Sequence, residues 1–266
     1  MVDRQKFAVL RAARRVWAVG AVHGEVERLE RLHAALWPRL EPCDRIVYLG
    51  NMIGRGQSSR ETLDCLLRFR LDALARPHSE AEDVVYLRGS QEEMWQKLLQ
   101  LQFATDPRGV LKWMFEQGVG ATLGSYGVQI DEALRSAASG PAALTRWTGR
   151  LRRAIQDRPG HYQLMAALRR AAYTDDGALL FVNSGLDPTR PLEAQSDSFW
   201  WSSGAFHSIG EPYAGFRRIL RGFDPSHAGY VVTDYTVTLD GGCGFGGPLI
   251  AVCVTPGGEI VERIEA

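Results

Sequence analysis

The sequence has few of the features that mark membrane or secreted proteins. Its longest unbroken apolar run, residues 249–254, is far shorter than the roughly 20 residues that a membrane helix needs. The first fifteen residues are rich in arginine and lack the apolar core and cleavage site of a secretory signal. The cysteines form no CxxC pair and fit neither a zinc knuckle nor a disulfide scaffold: Cys43, Cys65, Cys243 and Cys253. We therefore expect reduced thiols in a cytoplasmic protein.

The sequence also has no excess charge of either sign. The 31 basic and 31 acidic residues give a formal net charge of zero, so bulk attraction to nucleic acid or to an anionic membrane is not expected, although a local patch is compatible with this balance. With 45% hydrophobic and 23% charged residues, the composition is that of an ordinary globular protein. A length of 266 residues allows one large α/β domain or two small ones, and we predict a single domain over residues 1–266.

Strand and helix patterns alternate in the first third of the chain. Short apolar runs that end at glycine or a polar residue are followed by stretches with leucines at helical spacing, and this alternation is typical of βαβ units with a parallel sheet. The predicted strands are residues 16–22, 45–50 and 84–88, and the predicted helices are residues 25–37, 58–74 and 92–103. Ser58 and Ser59 are candidate caps for the second helix.

The strand pattern is absent from residues 104–172, which we interpret as a helical insertion against one edge of the sheet. The predicted helices are residues 110–117, 130–136, 142–155 and 161–172. Strand patterns return in the last third, at residues 178–182, 218–221, 230–232, 235–239, 249–255 and 259–264. Clean alternation at residues 236–239 and a turn signal at residues 256–258 favour antiparallel pairing at this end. The predicted fold is an α/β sandwich with two sheets face to face and helices outside.

Three predicted strands end in glycine-rich loops that carry polar residues. These loops are AVGAVHG at residues 18–24, LGNMIGRG at residues 49–56 and LRGSQE at residues 87–92. Parallel α/β sheets place their sites at the carboxyl ends of the strands, so we expect the three loops to form one site.

The same loops resemble those of the calcineurin-like metallophosphoesterases, in particular the bacterial serine/threonine phosphoprotein phosphatase branch, which has GDxHG, GDxxDRG and GNHE there. Later segments are similar to further motifs of that branch: GVGATLGSYG at 118–127, FVNSGLDP at 181–188, LRGFDP at 220–225 and DGGCGFGGPL at 240–249. The resemblance extends over almost the whole chain. It implies a metallophosphatase-like four-layer α/β/β/α sandwich, with residues 104–172 as its helical insertion.

The resemblance implies a cleft in which two divalent metals clamp a phosphate, yet the ligand positions of this sequence have changed. Two aspartates are replaced by Ala21 and Gly54, and the bridging aspartate by the neutral amide Asn51. The positions of the former cleft are Ala21, His23, Asn51, Gly54, Ser90, Gln91, Asn183 and Phe223. No carboxylate remains to neutralise two dications, and a glutamine at the position of the catalytic histidine cannot donate a proton to a leaving alkoxide. We therefore predict no metal, no cofactor and no catalytic residue.

Several residues have two interpretations. His23 is either a ligand or a hydrogen-bonded loop residue. Arg55, at the position of a phosphate-binding arginine, binds an anion or forms a salt bridge within the pocket. The related phosphatases have a second phosphate-binding arginine, but this sequence has Ser202 or Ser203 at that position. Arg88 and Glu92 are expected to pair with each other. Substitute metal donors, if any, would be Asp187, Asp224 or Asp234.

Two more features have both a structural and a functional interpretation. The aromatic residues near position 200 either pack in the core or line a groove: Phe199, Trp200, Trp201 and Phe206. The arginine-rich helix at residues 146–158 has a solvated face or a docking surface for an acidic partner.

The leading functional prediction is a catalytically inactive pseudophosphatase that acts as a binding or regulatory module. Its ligand would be a partner protein or a phosphorylated or anionic group, held by Arg55 with Asn51, Gln91 and Asn183 as neutral hydrogen-bonding groups. Two alternatives are an active phosphoesterase that uses one metal or a rearranged site, and a nucleotide-binding regulator. Hydrolysis of an aryl phosphate and thermal shifts with nucleotides distinguish them.

Overall fold

The described residues form two sheets and ten α-helices, joined by short loops and 3-10 turns. The structure, a computed structural model, describes residues 6–77, 79–201 and 203–266. The strands are β1 Phe7–Leu10, β2 Arg15–Val19, β3 Asp44–Tyr48, β4 Val84–Tyr86, β5 Ala171–Thr174, β6 Leu179–Val182, β7 Arg218–Arg221, β8 Tyr230–Val232, β9 Thr236–Leu239, β10 Ile250–Val254 and β11 Ile260–Glu265. The helices are α1 Val26–Leu36, α2 Ser59–Leu74, α3 Ser90–Leu98, α4 Pro107–Glu116, α5 Val119–Ser125, α6 Ile130–Ala138, α7 Pro141–Gln156, α8 His161–Ala166, α9 Ser198–Trp201 and α10 Ser203–Phe206.

The first sheet has five strands in the order β11-β10-β2-β3-β4. Strands β2, β3 and β4 are parallel, as the alternation of strands and helices predicted, and β10 adds antiparallel to β2. Strands β10 and β11 form the antiparallel hairpin predicted around residues 256–258. Because β2, β3 and β4 run in one direction, the loops that follow them meet at a single edge.

The second sheet has six strands in the order β1-β5-β6-β7-β9-β8. Strand β9 pairs antiparallel with β8 but parallel with β7, so this end of the fold is mixed and not purely antiparallel. Two strands of this sheet are not evident in the sequence pattern. Strand β1 was not predicted, and β5 lies partly where a helix was predicted. The helix expected over residues 161–172 ends as α8 at Ala166.

Three apolar clusters separate four layers. One lies between the two sheets, with Leu49, Phe181 and Val252 among its buried residues. A second joins the outer face of the five-stranded sheet to helices α1 to α8, and a third covers the outer face of the six-stranded sheet with α9 and α10. The layers are therefore helices, sheet, sheet and helices, and the predicted α/β/β/α sandwich is confirmed.

In the described residues, the predicted insertion contains five helices, α4 to α8. That residues 1–266 form a single domain stays a prediction. These helices contact α2 and α3 and extend the helical layer, whereas the sequence pattern favoured an edge position. The segment that follows them reaches an edge strand: Arg88 N donates to Arg169 O at 2.7 Å, just beyond β4. No helix in the described part of the chain is long and apolar enough to cross a membrane.

Candidate functional site

The loops after β2 and β3 are joined through their backbones. Val22 N and His23 N both donate to Asn51 O, at 3.0 and 2.7 Å, and Gly56 N donates to His23 O at 2.7 Å. His23 and Asn51 have φ values of +53° and +52°, which are uncommon for residues with a side chain. These paired left-handed residues place both side chains at the same edge of the sheet.

The loop after β4 is joined to the second loop by two side chains. Asn51 Oδ1 accepts hydrogen bonds from Gln91 N at 3.0 Å and from Ser90 Oγ at 3.2 Å. The buried carboxylate of Glu92 accepts from the backbone N–H groups of Gly89, Asn51, Met52 and Ile53 at 2.7 to 3.2 Å. Burial raises the pKa of Glu92, and the four hydrogen bonds oppose that rise. Glu92 thus links the loops after β3 and β4 through hydrogen bonds to both.

The pairing predicted between Arg88 and Glu92 is not formed. Arg88 instead contacts Glu93 at 3.1 Å and donates to Gln96 on the same helix. The four backbone donors occupy the Glu92 carboxylate on the inner side of α3, so the arginine pairs with the next carboxylate along the chain.

The later segments complete the site from the second sheet. Asn183 O accepts from Gly222 N and Phe223 N at 2.9 and 3.0 Å, and Ala21 N donates to Gly222 O at 3.0 Å. Asn183 Nδ2 donates across to Leu49 O at 2.7 Å. These contacts bring together all eight predicted cleft positions: Ala21, His23, Asn51, Gly54, Ser90, Gln91, Asn183 and Phe223.

The space beside Gly54 is filled by Gln91. A Cβ atom at residue 54 would overlap Oε1, Cδ and Cγ of Gln91, and Gly54 has a φ of +101°. The carboxamide of Gln91 is anchored there because its Nε2 donates to Gln117 O at 2.8 Å. Ser59, predicted as a helix cap, instead accepts a hydrogen bond from Gly54 N at 3.2 Å, and Ser58 makes no capping bond. The glutamine therefore occupies the volume that an aspartate at position 54 would need.

The imidazole of His23 is buried between two aromatic rings. Its imidazole makes edge contacts with Phe223 and Phe245, at centroid distances of 5.3 and 5.5 Å, and neither ring nitrogen has a partner among the described residues. Burial lowers the pKa of His23 to about 3, and the nearby Arg55 and His227 add to this effect. The imidazole is therefore neutral in the native state.

Other buried polar atoms of the cleft also lack partners in the described part of the chain. They are Asn51 Nδ2, Gln91 Oε1 and Asn183 Oδ1. Buried polar groups are hydrogen-bonded in almost all native proteins, and an unpaired group costs about 1–3 kcal/mol. A group of such atoms at one place indicates that water or a ligand supplies the missing partners.

Arg55 is half-buried and packs against Phe245, which also contacts His23. Its guanidinium carbon is 4.3 Å from the centroid of Phe245, and burial lowers the pKa of the arginine. No carboxylate of residues 6–77, 79–201 or 203–266 forms a salt bridge with it, and its Nε has no hydrogen-bond partner there. Of the two interpretations of Arg55, the structure does not support the internal salt bridge.

A histidine and an aspartate that the sequence did not single out lie beside Phe245. His227 Nδ1 contacts Asp240 Oδ2 at 2.9 Å, and the His227 ring lies 4.0 Å from the Phe245 ring. Asp240 belongs to one of the motifs named above, but nothing in the spacing of residues 227 and 240 indicates that the two side chains meet.

The side chains present do not fit a two-metal centre. In the described residues no three histidine, cysteine, aspartate or glutamate side chains converge as metal ligands. Of the substitute donors considered, Asp224 forms a buried ion pair with Arg221 at 2.7 Å, Asp187 lies 3.1 Å from Arg190, and Asp234 is exposed. Ala21, Gly54 and Phe223 have no donor atom, so the cleft has too few donors and too little negative charge for two dications.

The aromatic residues near position 200 are mostly core residues. Phe199, Trp200 and Phe206 are buried under the six-stranded sheet, whereas Trp201 is exposed and lies 6.0 Å from Trp113. Ser202 lies outside the described residues. On α7, Arg150 pairs with Glu132 and Arg152 donates to Leu99 O, which leaves the docking hypothesis for this helix as a prediction.

Comparisons with known proteins relate the chain to phosphatases by structure only. No family model matches the sequence, and no curated protein matches it significantly. The structure of a candidate diadenosine tetraphosphatase superposes with a TM-score of 0.57 at 18% identity, with 98% of each chain covered. A serine/threonine phosphatase from Saccharomyces cerevisiae, similar to human PP5, superposes with a TM-score of 0.51 at 13% identity, over 99% of this chain and 85% of the other. The chain therefore has the calcineurin-like metallophosphoesterase fold.

Proposed function

We propose that this protein is a non-catalytic member of the phosphatase fold, a pseudophosphatase whose cleft binds a phosphorylated or otherwise anionic ligand. The observation that carries the proposal is the packing of Gln91 into the volume beside Gly54. In a metal-binding site this volume would hold carboxylate ligands and metal ions. Here it is occupied by the neutral side chain of Gln91, which is hydrogen-bonded to Gln117 O.

The charge of the cleft supports the absence of two-metal catalysis. Two dications held about 3.5–4 Å apart need anionic donors to offset their repulsion. The inner positions offer the neutral groups of His23, Asn51 and Asn183, and the Asn51 oxygen already accepts two hydrogen bonds. The buried carboxylate of Glu92, which lies against these loops, is occupied by four backbone donors.

The choice of an anionic ligand rests on Arg55. The arginine is a half-buried cation without a carboxylate partner in the described chain, and a guanidinium group binds phosphate or carboxylate through two parallel hydrogen bonds. Phe245 holds the guanidinium group by a cation–π contact, which limits its motion. The unpaired amides below it offer further donors and acceptors to the same ligand.

Metal analysis tests the non-catalytic part of the proposal. The protein is incubated with manganese, freed of excess metal, and measured by plasma mass spectrometry together with an active phosphatase of the same fold. We expect less than one tightly bound ion per chain. Two tightly bound ions per chain would overturn the proposal.

Ligand titration tests the binding part. Phenyl phosphate is titrated calorimetrically into the wild type, Arg55→Gln and the surface control Arg68→Gln. Loss of a charge-assisted pair weakens binding by about 1.5–3 kcal/mol, so we expect Arg55→Gln to bind at least about tenfold more weakly. Arg68, which is exposed and lies 3.5 Å from Glu30, should have no effect. Equal affinity of all three proteins would remove Arg55 from the proposal.

An active phosphoesterase is the competing function, and the unpaired nitrogens of His23 are the observation in its favour. Hydrolysis of phenyl phosphate that His23→Ala abolishes would establish it. We expect no turnover above that of the heat-treated protein.

A further inference from the structure

We propose that His227, oriented by Asp240, is a second ligand-binding group of the site described above and holds the charged head of the ligand together with Arg55. The inference rests on the proposed function and makes it more specific. The ligand is an oxyanion with at least two free oxygens, such as a phosphate monoester, that lies against Phe245 and accepts hydrogen bonds from both side chains.

The first argument is the fixed orientation of the imidazole. Asp240 is buried, and its other hydrogen bonds, from Asp224 N and Gly242 N at 2.9 Å each, fix the carboxylate in place. His227 Nδ1 lies 2.9 Å from the same carboxylate, so the ring cannot rotate without losing that contact. A carboxylate in this position directs the other ring nitrogen away from itself.

The second argument is that Nε2 of His227 is available. Within the described ranges no protein atom forms a hydrogen bond with it, and the His227 side chain keeps 29% of its surface exposed. When Nδ1–H donates to the carboxylate, a proton on Nε2 would give the ring a second N–H donor that points outward. An oxyanion at Nε2 completes that arrangement.

The third argument is that Phe245 brings His227 and Arg55 together. The ring centroid is 4.0 Å from the His227 ring and 4.3 Å from the Arg55 guanidinium carbon, and the phenyl group is 41% exposed. Its loop is held by glycines with positive φ on either side, at Gly244 and Gly246. The two donor groups therefore contact the same exposed ring.

The groups around His227 do not offer another acceptor to its free nitrogen. Asp240 is used at Nδ1, and Asp224 is paired with Arg221 at 2.7 Å. Among the described residues, His23 and Arg55 also contact Phe245, and neither carries negative charge. An external anion is the partner that this environment lacks.

The test uses two substitutions at the same position. His227→Asn retains a group near Nδ1 that can donate to Asp240 and removes the Nε2 position, and asparagine tolerates the φ of +49°. His227→Gln places an amide N–H near the Nε2 position. Thermal denaturation first checks that both variants are folded, and phenyl phosphate is then titrated by calorimetry.

We expect His227→Asn to bind phenyl phosphate about tenfold more weakly than the wild type, the effect of one charge-assisted hydrogen bond. We expect His227→Gln to recover part of that loss. In the wild type, nitrogen-15 spectra of the imidazole should show Nε2 changing toward the imidazolium value when phenyl phosphate is added. A residue that only supports the loop would give no such change.

The outcomes separate this inference from the function on which it rests. If Arg55→Gln weakens binding while His227→Asn binds within about twofold of the wild type, the anion site stands and the role of His227 is wrong. An unchanged ring spectrum at saturation, or equal losses in both His227 variants, also overturns that role. If the wild type does not bind phenyl phosphate at all, both proposals fail.

Discussion

The carboxamide of Gln91 lies where a side chain of residue 54 would project. The three atoms nearest to a Cβ built on Gly54 all belong to Gln91. The Nε2 atom of Gln91 donates a hydrogen bond to Gln117 O at 2.8 Å, in the turn between α4 and α5. Two departures from the phosphatase motifs, glycine at 54 and glutamine at 91, are therefore physically linked. Once the glutamine packs inward, any side chain at position 54 overlaps its carboxamide.

Gly54→Ala is predicted to destabilise the protein through both overlap and strain. A φ of +101° disfavours any side chain, by about 1–3 kcal/mol, and overlap with Gln91 adds to that cost. In a Gln91→Ala background the overlap is removed, so the same substitution should cost less. Urea denaturation of the four proteins gives the coupling free energy, which we expect to exceed about 1 kcal/mol.

Gly127→Ala is the matched control for strain alone. Gly127 has a φ of +76° and no atom within 4 Å of its added Cβ, so only the backbone cost applies. A Gly54→Ala variant that loses no more stability than Gly127→Ala would show that Gln91 does not fill the site.

Glu92→Gln is predicted to be strongly destabilising, although it changes only one charged group. The carboxylate accepts four backbone N–H bonds from three loop residues and Gly89, and an amide replaces one acceptor oxygen by a donor. We expect a loss of about 2–4 kcal/mol in free energy of unfolding, since buried donors remain unpaired. Glu93→Gln, which weakens the contacts with Arg88 and Lys97 but leaves no backbone N–H group unpaired, should cost less in the same urea denaturation experiments. Equal losses of unfolding free energy in the two variants would contradict the role of Glu92 in linking the loops.

Local sequence patterns predicted most of the fold but failed where pairing is distant. Strands β2, β3 and β4 follow clear apolar runs, and each is followed by a helix at regular spacing. Strand β5 has the sequence AAYT, whose alanines favour a helix, and it forms a strand because β1 and β6 pair with it on either side. Strand β1 likewise depends on distant pairing, because Phe7 pairs with Ala171, which lies 164 residues further along the chain.

The positions of the site followed from motifs, whereas their side-chain arrangement did not. Glycine-bounded loops placed His23, Asn51 and Gln91 at one edge. That Gln91 turns inward depends on Gln117 in the distant turn between α4 and α5, and that His227 meets Asp240 depends on how two loops of the second sheet pack. No local spacing encodes either contact.

Asp224→Asn is predicted to remove the carboxylate that pairs with a buried arginine. Arg221 is fully buried and lies 2.7 Å from the Asp224 carboxylate, whose pKa is lowered because hydrogen bonds from Ser226 and the charge of Arg221 together outweigh burial. Removing one charge of such a pair costs about 3–5 kcal/mol, while removing both is tolerated far better. We therefore expect Arg221→Met to restore part of the stability of Asp224→Asn in guanidinium denaturation. Asp187→Asn, at the exposed pair with Arg190, is the control, and a double variant less stable than Asp224→Asn would contradict the pairing argument.

The stability of the protein should fall as the pH is lowered below about 6.5, in part because two histidines are buried in the neutral form. Burial lowers the pKa of both His23 and His33 from 6.5 to about 3. Between these values the unfolded chain binds protons that the native protein does not, so each histidine reduces the free energy of unfolding by about 1.4 kcal/mol per pH unit. Above pH 7.5 both states are neutral at these residues and the effect is absent.

His33→Gln isolates one of these contributions away from the cleft. His33 contacts Tyr48 Oη at 2.7 Å and stacks on Phe69 at 3.9 Å, so the variant should be less stable than the wild type at pH 8. Its free energy of unfolding should nevertheless fall less steeply between pH 6 and pH 4, by about 1.4 kcal/mol per pH unit. Urea denaturation at half-unit pH steps measures both slopes, with exposed Arg31→Gln as the control on the same helix. If the slope of His33→Gln equals that of Arg31→Gln, His33 is already protonated in the native protein and the buried neutral imidazole is wrong.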